Sequence, residues 1–286
     1  MKFKTTEPLS LLEAAAKMAP DCTRTTLRSW IKEGRISVDG QVETQGASQV
    51  HAGQTLSMGR RVRYAPGNVR ILFEDKHLVV VDKPEGLLTV ATAYEKGETV
   101  HAILKAKYKP GKVFVVHRID QDTSGVLMFA RTERAQEELK KKLEKHDIER
   151  TYYAIVEGHL PKTRGTWESY QIEDGNYYVR NTTDASLGKL AITHYKVLDT
   201  AKRYSLLEIR LETGRKNQIR AHCQMADCPI VGDKKYGSKT NPLKRLGLHA
   251  LFLGIVHPTT GQKLKFTSPL PKEFTTLFPR AAHADA

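Results

Sequence analysis

The chain has 286 residues, of which 40% are hydrophobic, so it can form one large domain or two unequal domains with a real core. Lysine and arginine outnumber the acidic residues by 46 to 32, and the formal charge of +14 favours nucleic acid as a partner over an anionic membrane surface. Three cysteines without CxxC spacing argue against a disulfide framework and a zinc site. With no leader-like N-terminus and no long apolar run, we expect a cytoplasmic protein that does not span a membrane.

The first 62 residues have the pattern of a small, separate α/β domain. Apolar residues at helical spacing predict a helix that begins after Asp21 or Thr23 and ends at Gly34 in a left-handed conformation. A short strand follows, and Asp39 and Gly40 predict a tight hairpin turn.

The predicted helix carries a stripe of basic residues on one face. Arg24, Arg28 and Lys32 recur every four residues, and Arg35 lies just beyond the helix end. Such a stripe is typical of a solvated helix face. Cations at this pitch can also follow the phosphates of a nucleic acid. The pattern leaves both interpretations open.

After residue 62 the composition and the predicted secondary structure of the chain change. Residues 63–70 are basic and contain Pro66-Gly67, which predicts a linker. Residues 71–280 show many short strands and few helices, the clearest helices falling at 132–146 and 217–226. Residues 281–286 are expected to form a disordered tail. The pattern predicts an α+β fold, with a large mixed and mostly antiparallel sheet.

The stretch "HRIDQDTSG", residues 117–125, lies between two apolar strands. A polar loop held at the end of a sheet is a place where function concentrates. Asp120 and Asp122 could act there as acid, base or nucleophile. Asp residues in loops also cap turns through their side chains, and the small residues that follow would suit that structural role.

A second informative stretch, residues 211–222, ends a strand and opens a helix. Arg215 and Arg220 therefore lie near the helix N-terminus, which attracts anions. Arg220 could form a bidentate pair with a carboxylate from another part of the chain. Such a pair would keep a catalytic aspartate ionised in a partly dry pocket.

The third stretch is "RTYYAIVEG", residues 150–158, which predicts a strand. Tyr152 and Tyr153 point to opposite faces of that strand, so one can enter the core while the other faces a site. A tyrosine ring can stack on a nucleobase, although most tyrosines in strands are ordinary core residues.

Taken together and in this order, these stretches resemble the RluA-type pseudouridine synthases, over about residues 70 to 275. The first 62 residues resemble, over residues 8 to 62, the small RNA-binding module named after a ribosomal small-subunit protein, the S-four-like domain. The ordered set is more specific than any one motif, and comprises "VVVDKPEGLLTV" (79–90), "HRIDQDTSG" (117–125), "RTYYAIVEG" (150–158), "TGRKNQIRAH" (213–222), "PIVGDKKYG" (229–237), "LHA" (248–250) and "FTSPLP" (266–271).

The resemblance implies an isomerase that breaks the glycosidic bond of a uridine in RNA, turns the uracil and rejoins it through carbon. It implies neither a cofactor nor a metal. Ribosomal RNA of the large subunit is the expected substrate, with transfer RNA as the alternative, and a monomer is expected.

The resemblance also assigns roles to residues around the predicted loop. Asp120 would be the essential carboxylate, and the motif leaves open whether it attacks the ribose or the base or takes a ribose proton. Arg220 would pair with Asp120, Tyr152 would stack on the uracil and Ile219 would pack under the ring. At the mouth, His117 and Arg118 would place a cation in the space left by a flipped nucleotide.

Two positions depart from the family pattern. Asn217 stands where the family commonly has a histidine, which keeps a hydrogen-bonding side chain and loses a titratable one. Arg150 replaces the usual lysine and keeps the charge.

Two other classes of protein remain open at this point. A non-catalytic RNA-binding assembly factor would use the same basic N-terminal domain. A carboxylate-nucleophile hydrolase would need a second positioned acid, for which Asp122 is the nearest candidate.

Overall fold

The computed structural model describes residues 2–32, 34–58, 63–65, 67–91, 98–175 and 177–283. The chain divides into two compact units, Met1–Tyr64 and Ala65–Asp285. The division falls inside the predicted linker.

The first unit packs two helices against short strands. Leu11, Leu27 and Leu56 are among the fully buried residues of its core. Its strands pair antiparallel in the order β1–β6–β3–β4, and β2 pairs with β5. Its elements are β1 (Lys2–Lys4), β2 (Leu9–Ser10), α1 (Leu11–Met18), α2 (Arg24–Lys32), β3 (Ile36–Val38), β4 (Gln41–Val42), β5 (Gln49–Val50) and β6 (Thr55–Met58).

Local signals fix the ends of α2 largely as the sequence predicts. The hydroxyl of Thr23 accepts a hydrogen bond from the backbone N–H of Thr26, so Thr23 rather than Asp21 caps the helix. At the other end, Gly34 has φ +65° and its N–H donates to the carbonyl of Ile31. The helix is thus followed directly by the predicted strand and turn.

The second unit is built on a large twisted sheet with helices packed on it. The strand Arg63–Ala65 (β7) spans the division between the units. The other elements are β8 (Val69–Glu74), β9 (Leu78–Lys83), α3 (Val100–Lys107), β10 (Phe114–Val115), β11 (Ser124–Ala130), α4 (Glu133–Glu144), β12 (Glu149–Glu157), β13 (Arg164–Glu173), β14 (Val179–Thr182), β15 (Lys189–Ala201), β16 (Tyr204–Leu211), α5 (Gln218–Met225), β17 (Leu248–Val256), β18 (Lys263–Thr267) and α6 (Lys272–Leu277), with 3-10 turns at Lys234–Tyr236 and Pro279–His283.

Sheet order confirms the predicted fold class. The strands lie in the order β14–β13–β15–β16–β12–β17–β11–β9–β8, with β10 paired to β11 and β18 paired to β17. Among the strand pairs whose register the structure describes, β11–β17 is parallel and the rest are antiparallel. The result is a mixed, mostly antiparallel sheet.

Both faces of this sheet are covered. Along β9, Val79 and Val81 enter one core cluster, while Val80 enters a cluster on the opposite face. The predicted alternation at β12 follows the same rule, because Tyr152 and Tyr153 lie in different clusters. The face that carries Tyr152 also contains the candidate site.

Part of the predicted linker is ordered sheet structure. Arg63–Ala65 is a strand and Val69 begins β8, with Gly67 between them at φ +70°. Ala65 and Val69 are buried in the same cluster as Tyr152, and this burial explains why the segment is not a solvated linker. Pro66 lies outside the described residues.

The end of the chain also differs from the prediction of a tail from residue 281 onward. Residues 281–283 belong to a 3-10 turn, and Ala281 is buried beside Phe278 and Phe274. Residues 284–286 lie outside the described residues. In the described part of the chain, no helix combines the length and the apolar character needed to cross a membrane.

Candidate active site

The polar stretch of residues 117–125 follows β10 and leads into β11, whose first two residues are Ser124 and Gly125. Gly125, the second residue of the buried strand β11, has φ +115°, and a Cβ atom at this position would lie 2.1 Å from the carbonyl oxygen of Ala250 on β17. Only glycine fits there. The close approach of β17 anchors the end of the loop that carries Asp120.

A buried lysine that the sequence reasoning missed lies beneath the same loop. Lys83 at the end of β9 is fully buried, and its ammonium donates to the carbonyls of Pro84, Leu87 and Gln121 at 2.6–2.8 Å. Burial lowers the pKa of Lys83 to about 7, opposed by the nearby charges of Asp122 and Asp120. Lys83 therefore ties the Asp120 loop to the segment after β9.

Arg220 on α5 makes its strongest contact with a carboxylate other than the predicted one. Its Nε and one terminal nitrogen donate to the two oxygens of Asp233, both at 2.7 Å. The remaining nitrogen, Nη1, reaches Asp120 Oδ2 at 3.5 Å. The bidentate partner is thus Asp233, whose side chain is 1% exposed, and Asp120 receives a weaker contact from the same cation.

The electrostatic balance at Asp120 has opposing contributions. Burial raises the pKa of the Asp120 carboxyl above its ordinary value, and the charge of Asp233 acts in the same direction. The guanidinium groups of Arg220 and Arg118 act against burial and favour the carboxylate. The site therefore holds a strongly influenced carboxyl group in a cleft, which is typical of functional sites.

Asp120 opens into a pocket of about 590 Å³, a volume suited to a small ligand or a single nucleotide. Tyr152, Ile219 and Arg220 line this pocket with Asp120, so the structure brings together the predicted catalytic residues. Tyr152 and Ile219 are 8% and 5% exposed, which makes them a fixed apolar wall rather than mobile side chains. Burial raises the pKa of Tyr152, so its hydroxyl keeps its proton.

His117 and Arg118 also line the pocket, yet they differ in charge. The Nε2 atom of His117 accepts the backbone N–H of Met128 at 3.2 Å, and burial lowers its pKa to about 3. The His117 ring is therefore neutral and is held against β11. The exposed Arg118 supplies the charge.

Two further guanidinium groups lie at the pocket. Arg215 is exposed, and its Nε donates to the carbonyl of Leu190 at 2.9 Å, which orients the side chain along the rim. Arg150, the position that departs from the family lysine, also lines the pocket and approaches Gly214 closely. These cations surround an opening that leads to Asp120.

The predicted basic stripe lies in the first unit. Arg24, Arg28 and Lys32 are exposed on α2, as predicted for one face of that helix. Arg35 is different, since its guanidinium stacks over Trp30 at 4.8 Å from the ring centroid and is half-buried. Arg35 therefore has a packing role that the stripe residues lack.

Asp122 is exposed and is absent from the pocket lining. The hydrolase hypothesis requires a second acid in the pocket, and Asp122 does not supply it in the described structure. Across the described residues, no group of three or more His, Cys, Asp or Glu side chains is arranged to hold a metal ion.

Comparisons with known proteins agree with this arrangement. Residues 77–225 match the family described as RNA pseudouridylate synthase. A Pseudomonas aeruginosa protein named ribosomal large subunit pseudouridine synthase D is 33% identical, and the match covers 93% of this chain and 89% of that protein. The protein of the same name in Escherichia coli strain K12 is 30% identical, over 93% and 88%.

A solved human structure, RNA pseudouridylate synthase domain containing 4, has the same fold. It superposes with a TM-score of 0.61 at 24% identity, covering 73% of this chain and 92% of that one. The chain belongs to the RNA pseudouridylate synthase family, and the predicted family is confirmed. It is accordingly an isomerase of the class that converts uridine to pseudouridine.

Proposed function

We propose that this protein converts uridine to pseudouridine in large-subunit ribosomal RNA. The family supports the reaction, and the names of relatives that match over nearly their whole length support the substrate. The observation that carries the proposal is the Asp120 carboxylate, which faces a pocket of nucleotide size between Arg220 and the ring of Tyr152.

The geometry favours a division of labour around the bound uridine. Asp120 carries out the step that breaks the glycosidic bond, whether by attack on the ribose or the base or by removal of a ribose proton. Tyr152 stacks on the uracil, Ile219 packs under the ring, and the charge of Arg220 favours the carboxylate form of Asp120 against the effect of burial on its pKa. The released uracil stays between the Tyr152 and Ile219 walls while it turns, so that its carbon meets the ribose again.

The three arginines around the opening, Arg118, Arg150 and Arg215, suit phosphates on either side of a flipped nucleotide. Arg118 takes the space that the nucleotide leaves. The exposed cations of α2, Arg24, Arg28 and Lys32, bind phosphates of the same RNA. Arg35 contributes there mainly through its packing on Trp30.

We further propose that the protein works as a monomer in the cytoplasm, where its RNA substrate is made and assembled. Sedimentation of the protein with and without an RNA fragment tests the first statement. A dimer in both samples would contradict it.

Pseudouridine mapping of total ribosomal and transfer RNA tests the proposed function. Cells that lack the gene are complemented with wild type, with Asp120→Asn or with Asp122→Asn as the matched control. We expect large-subunit sites that vanish and return with wild type and Asp122→Asn only. Sites confined to transfer RNA would replace the proposed substrate. Unchanged modification in both RNA classes would favour the non-catalytic RNA-binding factor.

A further inference from the structure

Asn217 immediately precedes α5 and has φ +49° and ψ +23°, a left-handed conformation that asparagine tolerates better than most residues. At a helix N-terminus the side chain of asparagine usually accepts a backbone N–H, but Asn217 makes no such capping hydrogen bond. Its side chain instead lines the pocket. The residue therefore uses its amide for a purpose other than helix capping.

One end of that amide faces Asp120 and the other faces Tyr236. With nitrogen toward the carboxylate, the amide donates to Asp120 Oδ2 at 2.9 Å and Oδ1 at 3.2 Å, and its oxygen accepts the Tyr236 hydroxyl at 3.1 Å. The opposite orientation would offer the oxygen to Arg220 Nη1 at 3.3 Å, but would set it against two carboxylate oxygens. Complementary partners thus select the first orientation.

Tyr236 is held so that it can fix this orientation. Its hydroxyl accepts the backbone N–H of Val179 at 3.2 Å, which leaves the phenolic proton for Asn217. Burial raises the pKa of Tyr236, so the hydroxyl remains a donor. The ring is fully buried, stacked on Tyr178 and covered by the guanidinium of Arg220.

The amide complements what Arg220 supplies. Two nitrogens of Arg220 are committed to Asp233 at 2.7 Å, and the third reaches Asp120 at 3.5 Å, too far for a strong hydrogen bond. Arg220 therefore provides positive charge, whereas the contact at 2.9 Å comes from Asn217. A charge alone does not fix the direction of a carboxylate, but a donor that faces both oxygens does.

We propose that Asn217 is a positioning residue that orients the Asp120 carboxylate, and that Tyr236 in turn orients the Asn217 amide. The inference rests on the proposed function for its effect on turnover. Because an amide does not titrate, this hydrogen bond persists at every pH at which the protein is folded. A histidine at the same place would make it depend on pH.

Asn217→Ala tests the proposal in steady-state kinetics on an RNA fragment. We expect kcat to fall about 10- to 100-fold with KM within about 3-fold of wild type, as for the loss of an interaction that matters in the transition state. Asn217→His restores most of the rate above neutral pH through a ring N–H. Asn181→Ala is the matched control, because Asn181 also supports α5, through the Ala221 carbonyl, without contact to Asp120.

The pH profile separates positioning from general support of the fold. Loss of a donor to the carboxylate raises the pKa of Asp120, so the acid limb of kcat shifts to higher pH in Asn217→Ala and stays in place in Asn181→Ala. The other charged or titratable groups that act on Asp120 are unchanged in both variants: Arg220, Arg118, Asp233, Lys83 and Tyr152. An unshifted limb in Asn217→Ala, or a rise in KM alone, would overturn the proposal.

A measurement without RNA keeps this proposal distinct from the proposed function. Carboxyl ¹³C NMR of aspartate-labelled protein follows the titration of Asp120, which the spectrum of Asp120→Asn assigns. We expect a higher Asp120 pKa in Asn217→Ala and a smaller shift in the same direction in Tyr236→Phe, which keeps the ring and removes the hydroxyl. An unchanged Asp120 titration in both variants would refute the positioning role even if the enzyme is active. A shifted titration in a protein that makes no pseudouridine would refute only the function.

Discussion

The two units of this protein use cations in opposite ways. On α2 in the first unit, Arg24, Arg28 and Lys32 are exposed and spaced evenly along one face. In the second unit, Lys83 is fully buried against three carbonyls and Arg220 is held by Asp233. Exposed cations are available to a polyanion but add little to stability. Buried cations need hydrogen-bond or carboxylate partners, and these contacts hold the side chains of a site in place.

The first way to sharpen this comparison is Asp120→Asn, which removes the negative charge beside the buried cations Arg220 and Lys83. Turnover should fall by about 10²- to 10⁴-fold or more, while RNA affinity changes little. Because the folded-state pKa of Asp120 lies above its ordinary value, its ionised form costs stability at neutral pH. The variant should therefore unfold at the same or a higher temperature, as measured by calorimetry.

The exposed Asp122, two residues away, is the control for that experiment. Asp122→Asn changes net charge by the same amount and should leave turnover near that of wild type. Residual turnover of Asp120→Asn within tenfold of wild type would remove Asp120 from its proposed role.

The next largest effect is expected for Asp233→Asn, which leaves Arg220 without its bidentate partner. Removal of one member of a buried pair typically lowers the free energy of unfolding by about 3–5 kcal/mol. The Asp233 side chain is 1% exposed, so solvent cannot take its place. Urea denaturation measures the loss, and turnover should decrease as well because Arg220 no longer holds its position beside Asp120.

An exposed pair gives the contrast. Arg210 and Glu208 form an ion pair with side chains 60% and 21% exposed, and Glu208→Gln should cost at most about 1 kcal/mol. Equal losses in the two variants would mean that the Arg220–Asp233 pair is no more than a surface contact.

The difference between these pairs also marks the limit of sequence reasoning. Alternating and apolar runs predicted the strands that carry Tyr152 and flank Asp120, because periodicity is local. The partner of Arg220 was not predicted, since Asp233 follows it by 13 positions and the turn after α5 brings the two side chains together. Lys83 and Tyr236 stood inside recognised motifs, but their burial depends on strands and turns far away in the chain.

The same reason explains the corrections at the edges of the second unit. Residues 63–70 look like a linker by composition, yet Ala65 and Val69 pack into the core of the second unit, against residues far away in the chain. The sequence does not show that His117 is a neutral ring, because that state depends on its burial and on its contact with the Met128 N–H of β11. Turn chemistry such as Gly34 and Asp39-Gly40 was read correctly because it depends on adjacent residues.

Acid should weaken the second unit through histidines that are buried in the neutral form. Burial lowers the pKa of His117 and His249 to about 3 and that of His222 to about 4. Below about pH 6.5 the histidines of the unfolded chain bind protons that the buried histidines of the folded protein do not. The free energy of unfolding therefore decreases as the pH decreases. Each such group contributes up to about 1.4 kcal/mol per pH unit between its two pKa values.

His117→Gln should reduce this acid sensitivity, because an amide oxygen can accept the Met128 N–H without binding a proton. Urea denaturation between pH 7 and pH 4.5 should give a shallower decline than wild type, while the exposed His146→Gln should give the wild-type slope. A decline in His117→Gln as steep as that of wild type would mean that His117 is not buried as a neutral ring.

The smallest effect is expected in the first unit, from replacing Arg24, Arg28 and Lys32 with glutamine. If the stripe binds phosphates, RNA affinity should depend less steeply on salt, by about 0.7–0.9 in the log–log slope for each phosphate that the variant no longer neutralises. The same triple change at the exposed residues Arg134, Lys140 and Lys145, in or next to α4, lowers the net charge of +14 equally. A smaller slope in the first variant alone supports phosphate binding on α2. Equal slopes in both would reduce the stripe to a solvated helix face, since only total charge would then matter. Because exposed cations contribute little to folding, neither variant should change the unfolding temperature appreciably.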